Sequence, residues 1–253
     1  MYLPALRAVA LLVLLCPLPA LAGRPAEVEI FDRTNGRVLP VYWHEGERHV
    51  AGEPGHEYEI RIRNRGHGRI LAVTSVDGVN VITGRTASPE QSGYVVDAGR
   101  RLEIEGWRKS MDEVAAFYFT SLPDSYAART GRPDNVGVIG VALFREQIPY
   151  PVSYERASEP APVAQSRAER KSADSAVGSS LYEDRLGTGH GERRDSGASH
   201  THFERATEEP ESIIRIYYDS HRNLVAQGVI PRPYHRFARR VPDPFPQGFV
   251  PDP

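Results

Sequence analysis

The chain has 253 residues, 40% of them hydrophobic, with 31 Lys and Arg against 33 Asp and Glu and a formal net charge of -2. That balance lacks the basic footprint with which a nucleic-acid binder neutralises phosphates, so no nucleic-acid partner is expected. Its one cysteine is Cys16, so beyond that residue there is no thiolate nucleophile, no Cys-ligated zinc site and no blue-copper thiolate.

Residues 1–22, MYLPALRAVALLVLLCPLPALA, place Arg7 ahead of an apolar run from Ala8 to Leu15, then Pro17, Pro19 and Ala20-Leu21-Ala22. This order predicts a secretory signal peptide cleaved after Ala22, because the apolar run falls short of the roughly 20 residues that span a bilayer. The mature chain is then expected to be periplasmic or secreted, cysteine-free, and without a transmembrane segment after cleavage. Leu14 and Leu15 stand before Cys16 where lipid attachment wants small residues.

Residues 23–149 read as short segments of period two broken by turn residues, the pattern of an all-β domain. Asn35-Gly36 between EVEIFD and VLPVYWH is a hairpin signal. In HEYEIRIRN, Tyr58, Ile60 and Ile62 are expected to face a core, with Glu57, Glu59, Arg61 and Arg63 in water. Further strands are expected in RILAVTSVD, VNVIT, GYVVD, RLEIEGW, EVAAFYFT and NVGVIGVALF, with a turn at Asp77-Gly78. In LPDSYAARTGRPDN, Asp124 or Ser125 can cap a short helix that Gly131 ends. The fold expected is an antiparallel β-sandwich, Ig-like or jelly-roll-like. EVAAFYFT and NVGVIGVALF are apolar on both faces, so something must cover the outer one, either in cis or as a partner.

Residues 150–211 are rich in Ser, Ala, Glu, Arg, Gly and Pro and read as a mostly disordered linker. Residues 212–237 hold a strand, SIIRIYYD, and a short helix, HRNLVAQ. Alone they cannot make a core, so they are expected to dock on the sandwich through Ile214, Ile216, Leu224 and Val225, as an added edge strand with its helix. Residues 238–253 form a Pro-rich tail expected to be extended.

Candidate chemistry is sparse. His190, His200 and His202 could ligate zinc, although glycine and serine surround them and no partner that would orient the rings is visible. His44, His49, His56 and His67 read as surface histidines beside loops. Tyr94, Trp107, Arg108 and Gln91 could line a binding site for a protein or carbohydrate, with aromatic faces to stack on. There is no G-x-S-x-G elbow, no H-E-x-x-H and no phosphate loop, so no catalytic residue is assigned.

The stretches GWRKSMDEVAAFYFTSLPDSYAARTGRPDNVGVIGVALFRE, DGVNVITG, LGTGHGER and YDSHRNLVAQGVIP resemble a set of secreted or periplasmic proteobacterial proteins of no known activity. The resemblance implies a recurring arrangement around LGTGHGER and transfers no functional residue. The function expected is an exported, non-enzymatic β-sandwich module of the cell envelope, binding or structural. The alternatives are a metal-dependent or hydrolytic enzyme using the His190/His200/His202 segment, and a subunit of an envelope assembly.

Overall fold

The computed structural model describes residues 25–148 and 185–232. The expected signal peptide, residues 150–184 of the expected linker and the Pro-rich tail lie outside the described residues.

The fold is an all-β sandwich of two seven-stranded sheets. Its strands are β1 (Ala26–Asp32), β2 (Arg37–Val38), β3 (Val41–His44), β4 (Glu47–Gly52), β5 (Glu57–Asn64), β6 (Ile70–Val76) and β7 (Val79–Asn80). They continue as β8 (Tyr94–Val96), β9 (Arg101–Ile104), β10 (Gly106–Arg108), β11 (Glu113–Ser121), β12 (Val138–Arg145), β13 (Leu186–Asp195) and β14 (Ser212–Ser220). In the first sheet β1 lies between β2 and β5, while β9 and the end of β11 share the far edge of β5; β11 also pairs with β10 and, along its other edge, with β13. The second sheet runs β3-β4-β14-β12-β6, with β7 and β8 both on β6. The pairs are antiparallel apart from β4 with β14, which is parallel, so the sandwich is antiparallel-dominated and mixed.

The alternating strands behave as their side chains dictate. Tyr58, Ile60 and Ile62 of β5 are fully buried and meet Phe117, Phe119, Val50 and Ile216 in the core between the sheets. Glu59, on the face expected to be wet, is also buried, because Arg33 and Arg61 both reach its carboxylate and Arg61 lies over the Phe31 ring at 3.4 Å. VLPVYWH is two strands. Pro40 offers no N–H, so β2 stops before it in one sheet and β3 starts after it in the other. The turn over 33–36 is longer than a two-residue hairpin, since Asp32 pairs with Arg37. The short helix α1 (Tyr126–Arg129) is capped by Ser125, whose Oγ accepts from Ala128 N at 3.1 Å.

Two expectations about the C-terminal half are corrected. Residues 186–195, placed in the linker, form β13. Leu186 and Thr188 are buried, while Gly187, Gly189 and Gly191 lie beneath Ser125, the Tyr118 ring and the Ala116 carbonyl. Ala116 and Tyr118, the outward-facing residues of β11, are what fill the space that glycine side chains leave, as aromatic rings do over strand glycines. Residues 212–220 are not an edge. β14 lies inside the second sheet, antiparallel to β12 and parallel to β4. Ile214 and Ile216 enter the main core, while Leu224 of α2 (His221–Ala226), with Val225 half-buried beside it, packs on Tyr42, Ala51, Val229 and Ile230.

The outer apolar face of β6 and β12 is covered in cis, but by a different segment from the one expected. Leu71, Val73, Ala142 and Phe144 pack with Phe203, and the Arg205 guanidinium lies 4.1 Å over the Phe144 ring.

Candidate functional site

The most chemically loaded cluster sits between the sheets. Asp77 and Gly78 form the β6–β7 turn with φ of 52° and 72°, a left-handed pair that turns the Asp77 side chain inward. Its Oδ1 accepts from the Tyr218 hydroxyl at 2.5 Å and Gly137 N at 2.9 Å, and its Oδ2 accepts from Thr188 N at 2.8 Å. Thr188 Oγ1 lies 2.7 Å from the Tyr218 hydroxyl and 2.6 Å from that of Tyr58. A phenol has one proton. With Tyr218 donating to Asp77, Thr188 must donate to Tyr218 and Tyr58 to Thr188, which fixes the direction of the whole relay.

Burial pushes the Asp77 carboxyl up to about 6, against the pull of its three donors. Burial, and then the Asp77 charge, raise both phenols well above their ordinary value, so they stay protonated and able to donate. A perturbed acid in a relay has the look of catalysis. Yet Tyr58 and Thr188 are fully buried, Asp77 is 1% exposed and Tyr218 3% exposed, so a substrate has no approach to them. The relay instead ties β5 and β13 of one sheet to β14 and the β6–β7 turn of the other.

The residues singled out from sequence scatter. Trp107 is buried, its Nε1 donating to Gly189 O at 3.0 Å with its ring between Phe117 and Tyr126. Arg108 donates to the Tyr94 hydroxyl at 3.1 Å, and its other nitrogens reach the carbonyl and hydroxyl of Ser196. Gln91 folds back on its own loop through Thr86 O and Ser88 N. Tyr94 and Arg108 therefore meet, while Trp107 and Gln91 turn elsewhere.

His190 stacks on Tyr126 with ring centroids 5.7 Å apart, and burial and then the Lys109 charge depress its pKa. His200 and His202 are exposed on the stretch leading to Phe203. Among the described residues no three His, Cys, Asp or Glu side chains come together as a metal-binding group. His56 and Asp32 form a hydrogen-bonded pair at 2.9 Å, but the other ring nitrogen faces the Glu53 carboxylate at 3.5 Å, where a catalytic dyad would present a nucleophile.

Two open clefts remain. One, of about 350 Å³, is lined by Arg33, Glu105, Glu113, Arg193, Arg194 and Asp195, and its charges pair with one another, Arg33 with Glu105 and Arg193 with Glu113. The second, of about 310 Å³, lies where β3, β4 and β14 meet and is lined by Trp43, Glu47, Arg48, Ile213, Arg215 and Tyr217, among others. Trp43 is 56% exposed with the Arg48 guanidinium 5.2 Å from its ring, and Ile213 is 42% exposed. Behind this groove His49 stacks on Tyr217 at 5.5 Å; its Nε2 is buried without a hydrogen-bond partner, and burial keeps the ring below its ordinary pKa and so neutral. Sequence reasoning passed over the groove. Its nearest signal was VYWH, with large aromatics on adjacent positions and therefore on both faces of an edge strand.

No family model matches the chain, and no curated protein or solved structure matches it.

Proposed function

We propose that the protein is an exported, non-enzymatic β-sandwich module of the cell envelope that binds its ligand in the groove of Trp43. What carries this reading is the contrast between two clusters. The reactive-looking one, Asp77 with Tyr218, Thr188 and Tyr58, is sealed and spends its hydrogen bonds on joining the sheets. The open one exposes a large aromatic beside charged forks, the composition of an interaction surface. The leader sequence MYLPALRAVALLVLLCPLPALA supports export. Among the described residues no helix is long and apolar enough to cross a membrane.

The test is co-sedimentation of the mature chain with envelope fractions from its native cell. Saturable pelleting that is lost in Trp43→Ala is expected; a protein that stays in the supernatant at every envelope concentration overturns the reading.

A further inference from the structure

We infer that the Trp43 groove is a saccharide site selective for sugars that carry a carboxylate. This rests on the groove being the binding surface, and it adds the chemical class of the ligand.

Register builds the site from residues far apart in sequence. Trp43 pairs with Arg48 across the β3–β4 hairpin, and Tyr217 pairs with His49 across the parallel β4–β14 contact, so Ile213, Arg215 and Tyr217 line up beside the hairpin. An exposed indole face offers a flat apolar platform that matches the C–H face of a pyranose. Around it stand groups that an apolar ligand would leave unsatisfied. The Glu47 carboxylate can accept from ring hydroxyls, the Tyr217 hydroxyl can donate or accept, and Arg215 brings a planar set of donors. A lipid chain or apolar peptide would desolvate these charges without return. A polyol satisfies them.

The charge sign selects within the sugars. The groove holds two guanidiniums, Arg48 and Arg215, against one carboxylate, Glu47. Arg48 lies against the indole, and Arg215 is exposed and forms no salt bridge among the described residues, unlike the arginines of the other cleft. A ligand carboxylate can therefore take a forked pair of hydrogen bonds from Arg215 while its ring lies on Trp43. At about 310 Å³ the groove is at the lower end of small-ligand sites, which suits a short stretch of a polymer better than a large cofactor.

The chain has two tryptophans, Trp43 and the buried Trp107, which is 3% exposed, so ligand-dependent emission reports on Trp43. The mature chain is titrated with an oligogalacturonate, with an uncharged galacto-oligosaccharide of equal length, and with a poly-glutamate peptide, following emission and heat. The expected result is saturable binding of the oligogalacturonate, weakened by salt and about tenfold or more tighter than the neutral sugar. Trp43→Ala abolishes it, and Arg215→Gln, an exposed change checked for an unaltered near-ultraviolet spectrum, brings the acidic sugar down to the neutral one. The inference is overturned if the oligogalacturonate gives neither emission change nor heat, if both sugars bind equally, or if the peptide alone binds. Envelope co-sedimentation that persists through any of these outcomes leaves the binding-module reading standing and removes only the saccharide.

Discussion

Asp77 shows how one residue can look catalytic and act as a fastener. Its folded-state pKa of about 6 lies above the ordinary 3.8, so the unfolded chain gives up this proton first as pH rises. The stability Asp77 contributes is therefore complete below about pH 4 and is lost as pH climbs to about 6, by at most about 3 kcal/mol. Urea unfolding across that window checks the sign: wild type should lose stability relative to Asp77→Asn, which has no such titration, and parallel curves would contradict it. Tyr218→Phe removes the 2.5 Å donor to the carboxylate. It should cost about 1–3 kcal/mol at pH 7.5 and less at pH 4.5, where the carboxyl is protonated. Asp77-Gly78 was legible as a turn from its dipeptide. That its carboxylate points inward to Thr188 and Tyr218 was not, because those partners are 111 and 141 positions away.

Among the elements, β5 and β13 mark the two extremes of legibility. β5 announces itself by alternation, and its inward residues are the ones burial confirms. β13 hides because glycine has poor strand propensity and no side chain to show a period; what makes it a strand is the neighbours that fill its empty positions. An added Cβ at Gly187 would sit 2.5 Å from Ser125 Cβ and 2.8 Å from Val136 Cγ1, whereas one at Gly197 meets nothing within 4 Å. Gly187→Ala should accordingly lower stability by about 1–3 kcal/mol by overpacking, with Gly197→Ala close to wild type in the same thermal melts. β14 was recognisable as a strand, but its place inside the sheet was not. Alternation reports which face is buried and is silent on which strands stand on either side. The need to cover β12 was likewise readable from its two apolar faces, while the cover itself, Phe203 with Arg205, lay in a stretch too polar to suggest it. Phe203→Ser should expose Leu71, Val73, Ala142 and Phe144 and raise binding of a hydrophobic dye; unchanged dye binding would show that Phe203 is not the cover.

At the scale of the whole molecule, the segment 185–232 is woven into both sheets: β13 completes one along β11, and β14 holds β4 to β12 in the other. The relay from Tyr58 through Thr188 and Tyr218 to Asp77 then fastens the sheets to each other. The groove depends on the same interweaving, since Trp43 and Arg48 come from one side of the chain's central connection and Ile213, Arg215 and Tyr217 from the other. That is also why the groove escaped a linear reading. The central claim is that residues 25–148 and 185–232 are one cooperative body. Its most direct test is to insert a specific protease site between residues 160 and 175 of the full chain, cut it after folding, and pass the product through a sizing column. The two pieces should elute together and unfold in a single transition on a denaturant series; separation into a folded N-terminal piece and a free C-terminal one would contradict the account.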